Sequence, residues 1–526
     1  MDTLADVLRR RFADDGERPV LRGVTRLPSG ALQALKAASR DADSVSQTSG
    51  TLTYGDLGAI AAAYANAFRE YRRDGMALHV GILGENSADF VFSEAGAWLA
   101  GGTVVGLNTT RSPREVVRDA EHTDCSLIVG DPGHIESLDT TIPRLAFGTG
   151  LDAAVAARAG EPDPEAPLDD TTPGFLFFTS GTTGAPKAVI RSHRTILPAT
   201  DRIASRLALT TNDTGLVNMP LFHAAANMMC LVPAVLRAAS VVVAEKFSVS
   251  KFLPSIREHG VTFWAYTGTP LAYLVASPER PGDADSPLRI ATGNEGNSEL
   301  CDTFAARFGC DVIDVYGASE GGIGIVRRTG DPKGSLGMPP DGVIVVDDDD
   351  NECGPGVVGE IVNTKSLGSF EGYYKNPEAE ASRHAGGWYR SGDLARRDAD
   401  GFLYFAGRTG DWARVDGENL ALAPIEALIT EHPCVVVAAV VAVRASDAGD
   451  RLVAVVETKP GTDTSSLADA ISVFVRAHPD AGTKWVPSEV KIVDSIPKLA
   501  THKLDRRAIR DMVDTLPNAP GATATP

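Results

Sequence analysis

Nine residues, Thr179 to Lys187, place four hydroxyls, two glycines, a proline and a lysine between two apolar runs. Glycines let the backbone turn tightly and bring its N–H groups close to an anion. The hydroxyls of Thr179, Ser180, Thr182 and Thr183 add donors, Gly181 and Gly184 give the turn, and Lys187 adds a positive charge. Such a loop suits the phosphates of a nucleotide. It differs from the GxxxxGK[ST] loop of P-loop NTPases, because a strand-like Ala188-Val189-Ile190 follows it rather than a helix. A polar hairpin loop between two strands is the plain alternative.

The stretch TSGTTGAPK resembles the signature loop of the adenylate-forming superfamily, which includes acyl-CoA synthetases, peptide-synthetase adenylation domains and luciferases. Further segments follow in that family's order. PLFHAAANMM, Pro220 to Met229, is similar to the segment in which a histidine precedes the acyl pocket, and implies that His223 gates that pocket or contacts the acid. FWAYTGTPLAYL, Phe263 to Leu274, offers Trp264, Tyr266, Thr267 and Gly268 as the acyl-binding wall, with core packing the alternative for the two aromatics. IATGNEGN stands where the family has an adenine-binding turn, so Gly293 and Asn294 would read the base, while a buried Glu295 would need a partner for its charge. That GNE form resembles the branch containing fatty-acid transport proteins and long-chain acyl-CoA synthetases. DVYGASEGG corresponds to YGxTE: Tyr316 and Gly317 would meet adenine, Ser319 the α-phosphate, and Glu320 a Mg²⁺ ion. In WYRSGDLARRDADGFLYFAGRTGD, Asp393 would accept the ribose hydroxyls and Arg408 would anchor ribose or phosphate, with Gly410 as the interdomain hinge. RVDGENL brings Gly417 toward a pantetheine tunnel, although Asp416 is an unusual neighbour there. SIPKLATHKLDRRAIR carries Lys503, the lysine expected to drive adenylation, with His502 in place of the usual glycine.

The resemblance implies a ligase with ATP (giving AMP), Mg²⁺ and CoA, in which a lipophilic carboxylic acid becomes an acyl-adenylate and then a thioester. Bulky polycyclic acids and natural-product intermediates fall within that class. Alternatives are a split ligase that performs one half-reaction with a partner adenylating enzyme, an acyl-AMP ligase loading a carrier protein, and a non-enzymatic nucleotide binder. A homodimer stays open.

A formal charge of −19 argues against nucleic acid or an acidic membrane surface as the main partner. Polyanionic substrates therefore need local basic groups, and Lys187, Arg191 and Arg194, or Lys503, Arg506, Arg507 and Arg510, supply two such clusters. The run Asp347 to Glu352 reads as a solvated hairpin tip. Six scattered cysteines without a CxxC pair suggest a reducing compartment, with neither zinc nor a disulfide framework. The N-terminus reads as an amphipathic helix rather than a secretory signal, and no apolar run reaches membrane-spanning length, so a cytoplasmic location is expected.

The elements that must hold these residues alternate. Residues 79–83, 103–107 and 126–129 read as strands, with helices over 90–99 and 113–121 between them; residues 241–244, 251–258 and 261–266 repeat the pattern. This predicts an α/β fold of helix-covered parallel sheets. Shorter strands around 340–410 predict a β-rich subdomain. Residues 161–174 form a connector, and a small mobile α+β domain is expected over 408–514, after an N-terminal domain of 1–407 and before a disordered tail of 515–526. Within the small domain, a helix is expected at 424–430, strands at 435–443 and 452–457, and a helix at 467–477.

Overall fold

A computed structural model describes residues 2–40, 50–179, 187–296, 298–328, 330–365, 370–408, 412–415, 418–444, 450–479, 481–482 and 484–515. Ser180, Gly181, Thr182, Thr183, Gly184, Gly410, Asp416 and Gly417, all expected at the site or hinge, lie outside the described residues, as does most of the tail.

Among the described residues, two large sheets form the body. The first has eight strands in the order 324–327, 311–317, 290–294, 263–267, 214–217, 240–243, 19–22 and 52–53, parallel except at its two edges. The second has six strands, from Arg144–Ala146 through His79–Leu83 and Thr103–Gly106 to the antiparallel hairpin of Pro173–Thr179 with Lys187–Ser192. Central parallel strands covered on both faces must be apolar throughout, and Phe263–Thr267 and Thr103–Gly106 are buried at every position. Helices Tyr54–Arg69 and Ala88–Leu99 supply much of the cover, with Thr53 and Ser87 accepting N–H bonds at their starts.

A four-stranded antiparallel sheet, from Val343–Val346 through Leu403–Arg408, forms the expected β-rich subdomain. Asp347 to Glu352 turns between its first two strands, and Asp347 Oδ1 accepts from the Asn351 backbone at 2.9 Å, so the acid run closes a turn as expected. Near the C-terminus, Val435–Arg444 and Asp450–Thr458 pair antiparallel, and Glu489–Val493 adds a parallel strand. One face of this sheet packs with Ile496, Ile509 and Val513 against Ala272 of helix Gly268–Ala276. The C-terminal unit therefore rests on the helix that follows a central strand of the large sheet.

The N-terminal helix, Leu4–Asp14, is present, with Thr3 and Asp6 satisfying each other's backbone N–H groups. All six cysteines are free thiols. Among the described residues no helix is long and apolar enough to cross a membrane.

Candidate active site

Parallel strands gather their carboxyl ends at one rim, which is where ligands bind in open α/β sheets. Strands 263–267, 290–294 and 311–317 end there at Thr267, Asn294 and Gly317. Thr267 and Asn294 are register partners. The rim is packed tightly: a Cβ on Gly268 would stand 2.1 Å from the Glu295 carbonyl, and one on Gly293 would stand 2.4 Å from Tyr266. Glycine is the residue that permits such approach. Just beyond, Glu295 takes a left-handed φ of 65°, a conformation disfavoured for a residue with a Cβ. The turn leaves Asn294 Oδ1 as a buried acceptor with no partner among the described residues. Such a group is costly unless a ligand satisfies it, and an exocyclic amine would.

Tyr316 and Asp393 meet across sheets. The phenol donates to Asp393 Oδ2 at 2.6 Å, while Arg408 Nε donates to Asp393 Oδ1 at 2.9 Å. Asp393 and Arg408 are cross-strand neighbours in the β-rich subdomain, so sheet register sets their spacing. Burial, then the Asp393 charge, holds the Tyr316 phenol well above its ordinary pKa. Burial works against the Arg408 charge, but the adjacent Asp393 and Glu295 outweigh it and the pKa is raised.

Glu320 is buried beside Ser319 in the turn after strand 311–317. Its Oε1 accepts from the Tyr373 phenol at 2.8 Å, and its backbone carbonyl accepts from Arg191 at 3.1 Å. Arg191 comes from the strand that begins at Lys187, whose ammonium lies 5.3 Å from the centre of the Tyr373 ring. At the other end of the loop, Thr179 and Lys187 are register partners, so the loop is carried by a hairpin. Of the two expected basic clusters, Arg191 in the first is buried and bonded to the Glu320 carbonyl, and Arg506 in the second pairs with Glu426.

Lys503 reaches this rim from the opposite side. Leu499 N–H bonds to Lys503 O at 2.8 Å and His502 N–H to Leu499 O at 2.8 Å, closing a tight turn. His502 adopts a φ of 62° there, the left-handed conformation that a glycine would take more readily. Thr267 Oγ1 donates to Thr501 O at 3.2 Å, and Lys503 Nζ lies 2.7 Å from Glu295 Oε1. The expected buried Glu295 is instead half exposed, and Lys503 is its partner. His223, at the start of the short helix Ala224–Ala226, is also close enough to feel the Lys503 charge: burial first, then that charge, pushes its pKa down to about 3. It is a neutral imidazole whose Nδ1 accepts from Ala225 N–H at 3.3 Å.

Two candidates for the acyl wall belong to the core instead. Trp264 is 0% exposed, packs on Phe252 and Phe304, and donates Nε1–H to Asn218 at 3.0 Å. Tyr266 donates to Asp314 at 2.8 Å. Both side chains lie on one face of the strand, enclosed in the same cluster as Phe252 and Phe304, whereas Thr267 and Gly268 stand at the rim. Asp314 was missed in the sequence. It also accepts from Gly296 N–H at 3.1 Å, and burial pushes its pKa up to about 7 against the pull of those bonds. Tyr373 was missed as well, since nothing local in GYYKNP signals contact with a carboxylate 53 positions away.

Residues 33–374 match the family model described as AMP-binding enzyme, and residues 424–503 match its C-terminal domain. The chain belongs to the AMP-binding enzyme family. It is 40% identical over 462 residues to the medium/long-chain-fatty-acid–CoA ligase FadD17 of Mycobacterium marinum, covering 86% of this chain and 90% of the relative. It is 38% identical over 463 residues to the steroid-22-oyl-CoA synthetase of Rhodococcus jostii, covering 84% and 83%. In fold it is similar to the anthranilate CoA ligase AuaEII in complex with anthranoyl-AMP, with a TM-score of 0.84 over 98% of each chain at 22% identity. The AMP-binding family's arrangement of sheets, β-rich subdomain and C-terminal unit is thus the one observed.

Proposed function

We propose that this protein is an acyl-CoA ligase that converts a lipophilic carboxylic acid to an acyl-adenylate with ATP and then to a thioester with CoA. One observation carries the reading: Lys503, Asn294, Tyr316 with Asp393 and Arg408, and Glu320 converge on the rim from four separate stretches of chain. The two sequence relatives are named for fatty and steroid acids, and both acid types are lipophilic. The run Ala224–Ala226 beside His223 provides small side chains suited to a bulky apolar group.

In the first half-reaction the acid's carboxylate attacks the α-phosphate, the bond to the β-phosphate breaks, and pyrophosphate leaves. Two anions must approach, so catalysis consists of alignment and charge neutralisation. Lys503 stands at 2.7 Å from a carboxylate already, which is the contact it would make with the attacking acid. One cation at ~4 Å and an effective dielectric of ~20 contributes about 4 kcal/mol, roughly three powers of ten in rate. Asp393 would receive the ribose hydroxyls, with Tyr316 and Arg408 fixing its orientation. Asn294 Oδ1 would accept the adenine amine. Thr179, Ser180, Gly181, Thr182, Thr183, Gly184 and Lys187 would enclose the departing phosphates.

Glu320 suits a Mg²⁺ ion shared with those phosphates, because Mg²⁺ keeps most of its waters and takes one or two carboxylates. Bound Mg²⁺ would neutralise phosphate charge. In the second half-reaction the thiol of CoA attacks the mixed anhydride and AMP leaves. The C-terminal unit, residues 408–514, would turn about Gly410 between the two steps, withdrawing Lys503 and admitting the Gly417 segment.

The deciding experiment is a half-reaction assay over fatty, aromatic and steroid acids. Pyrophosphate release with ATP and acid, together with thioester formation from synthetic acyl-adenylates, is the expected result. Thioester formation without pyrophosphate release, for an acid whose adenylate is accepted, would identify a thioesterification enzyme instead.

A further inference from the structure

Glu295 has a second partner set beyond its own turn. Its carboxylate meets Lys503 at 2.7 Å, with side chains 49% and 31% exposed, and it also acts on the Arg408 charge. The backbone on both sides of the pair is constrained. Gly268 lets the Glu295 carbonyl sit against the start of the Gly268–Ala276 helix, φ at Glu295 is left-handed, and the Thr267 to Thr501 bond ties the neighbouring strand end to the same C-terminal turn. Phe247 adds an edge contact to the His502 ring, 5.8 Å between centres. A strained residue held by its surroundings is a sign of a specific task.

We infer that Glu295 is a positioning residue: its carboxylate holds the place on Lys503 that the acid or the α-phosphate takes in adenylation, and so latches the C-terminal unit onto the rim until substrate exchanges for it. This deepens the ligase reading and rests on it. The pair joins a strand end of the large sheet to the C-terminal turn, so breaking it is a condition for the turn to leave. Exchange of one carboxylate for another keeps the Lys503 ammonium paired, while the displaced Glu295 carboxylate, half exposed and near the Arg408 charge, is taken up by water. An exposed pair of this kind holds weakly enough to be displaced.

Two measurements on the full chain test the inference. A carbodiimide joins a carboxylate and an amine only when they touch, forming an amide as the urea leaves. Treatment of the unliganded protein is expected to give a Glu295–Lys503 isopeptide, mapped by mass spectrometry and suppressed by synthetic dodecanoyl-adenylate. Absence of that crosslink overturns the latch whatever the protein's activity. Thioester formation from the same adenylate supplies the second readout. Glu295→Gln is expected to lower KM about threefold to fivefold with kcat kept, and to lose that effect in a Lys503→Ala background. A damaged turn would instead lower kcat, or change KM equally in both backgrounds, and either outcome refutes the pairing. If the wild type forms no thioester from any adenylate of the fatty, aromatic and steroid panel, the ligase reading fails and the crosslink alone decides the latch.

Discussion

The Tyr316 phenol donates to Asp393 at 2.6 Å, linking the end of a parallel strand to the β-rich subdomain. Arg408 occupies the other oxygen. The carboxylate is therefore fixed before any ligand arrives, with its charge balanced and its direction set from two sides. Tyr316→Phe removes one of these bonds and leaves the fold unchanged. A hydrogen bond to a charged group contributes about 1.5–3 kcal/mol, so kcat/KM for ATP should fall by roughly tenfold to a hundredfold. Pyrophosphate release against ATP concentration checks this, with thermal unfolding as the control for structure.

Lys503→Ala should separate the two half-reactions. Pyrophosphate release falls by about three powers of ten, the worth of one well-placed cation. Thioester formation from supplied acyl-adenylate survives. Equal loss of both would remove Lys503 from the adenylation step.

Glu320→Gln keeps an oxygen for the Tyr373 phenol and removes the charge. Pyrophosphate release should drop about a hundredfold, and the Mg²⁺ concentration for half-maximal rate should rise. A Mg²⁺ titration at fixed ATP distinguishes this from simple misfolding, which would leave the half-maximal concentration in place. Chelation of Mg²⁺ should abolish release in the wild type.

Trp264 is expected to matter for stability and not for substrate choice. Trp264→Ala empties a large core site, a loss of about 3–5 kcal/mol. Trp264→Phe retains the packing and should leave the ranking of acids unchanged in a competition assay. A changed ranking would return Trp264 to the acyl wall.

His193 is buried, and its Nδ1 accepts from Leu4 N–H at 3.2 Å, so the neutral ring is the one the fold wants. Burial pushes its pKa down to about 4, below the ordinary value of about 6.5. Between those values the unfolded chain binds the proton and the folded chain does not, so this residue makes stability fall as pH drops from 6.5 to 4. Asp314, pushed up to about 7, acts in the opposite sense, because the folded form binds its proton more readily. The difference between wild type and His193→Gln in denaturant unfolding, taken across that pH range, isolates the histidine. The variant should lose less stability on acidification than the wild type.

The sequence by itself determined the elements and the family. Apolar runs such as Val435–Arg444 and the periodic stretch Leu467–Ala477 appear where their patterns place them, since burial face and backbone period are local properties. The loop from Thr179 to Lys187 and the later segments around Glu320, Asp393 and Lys503 were legible because each keeps a recognisable residue order. Tertiary structure decided what each side chain faces. Trp264 and Tyr266 stand two positions apart on one face of a central strand, and only the packing against that face shows that both are enclosed. The partners Tyr373 for Glu320, Asp314 for Tyr266, and above all Glu295 for Lys503 join residues tens to hundreds of positions apart. No local pattern encodes such pairs, because they depend on strand order and on how the C-terminal unit rests on the large sheet.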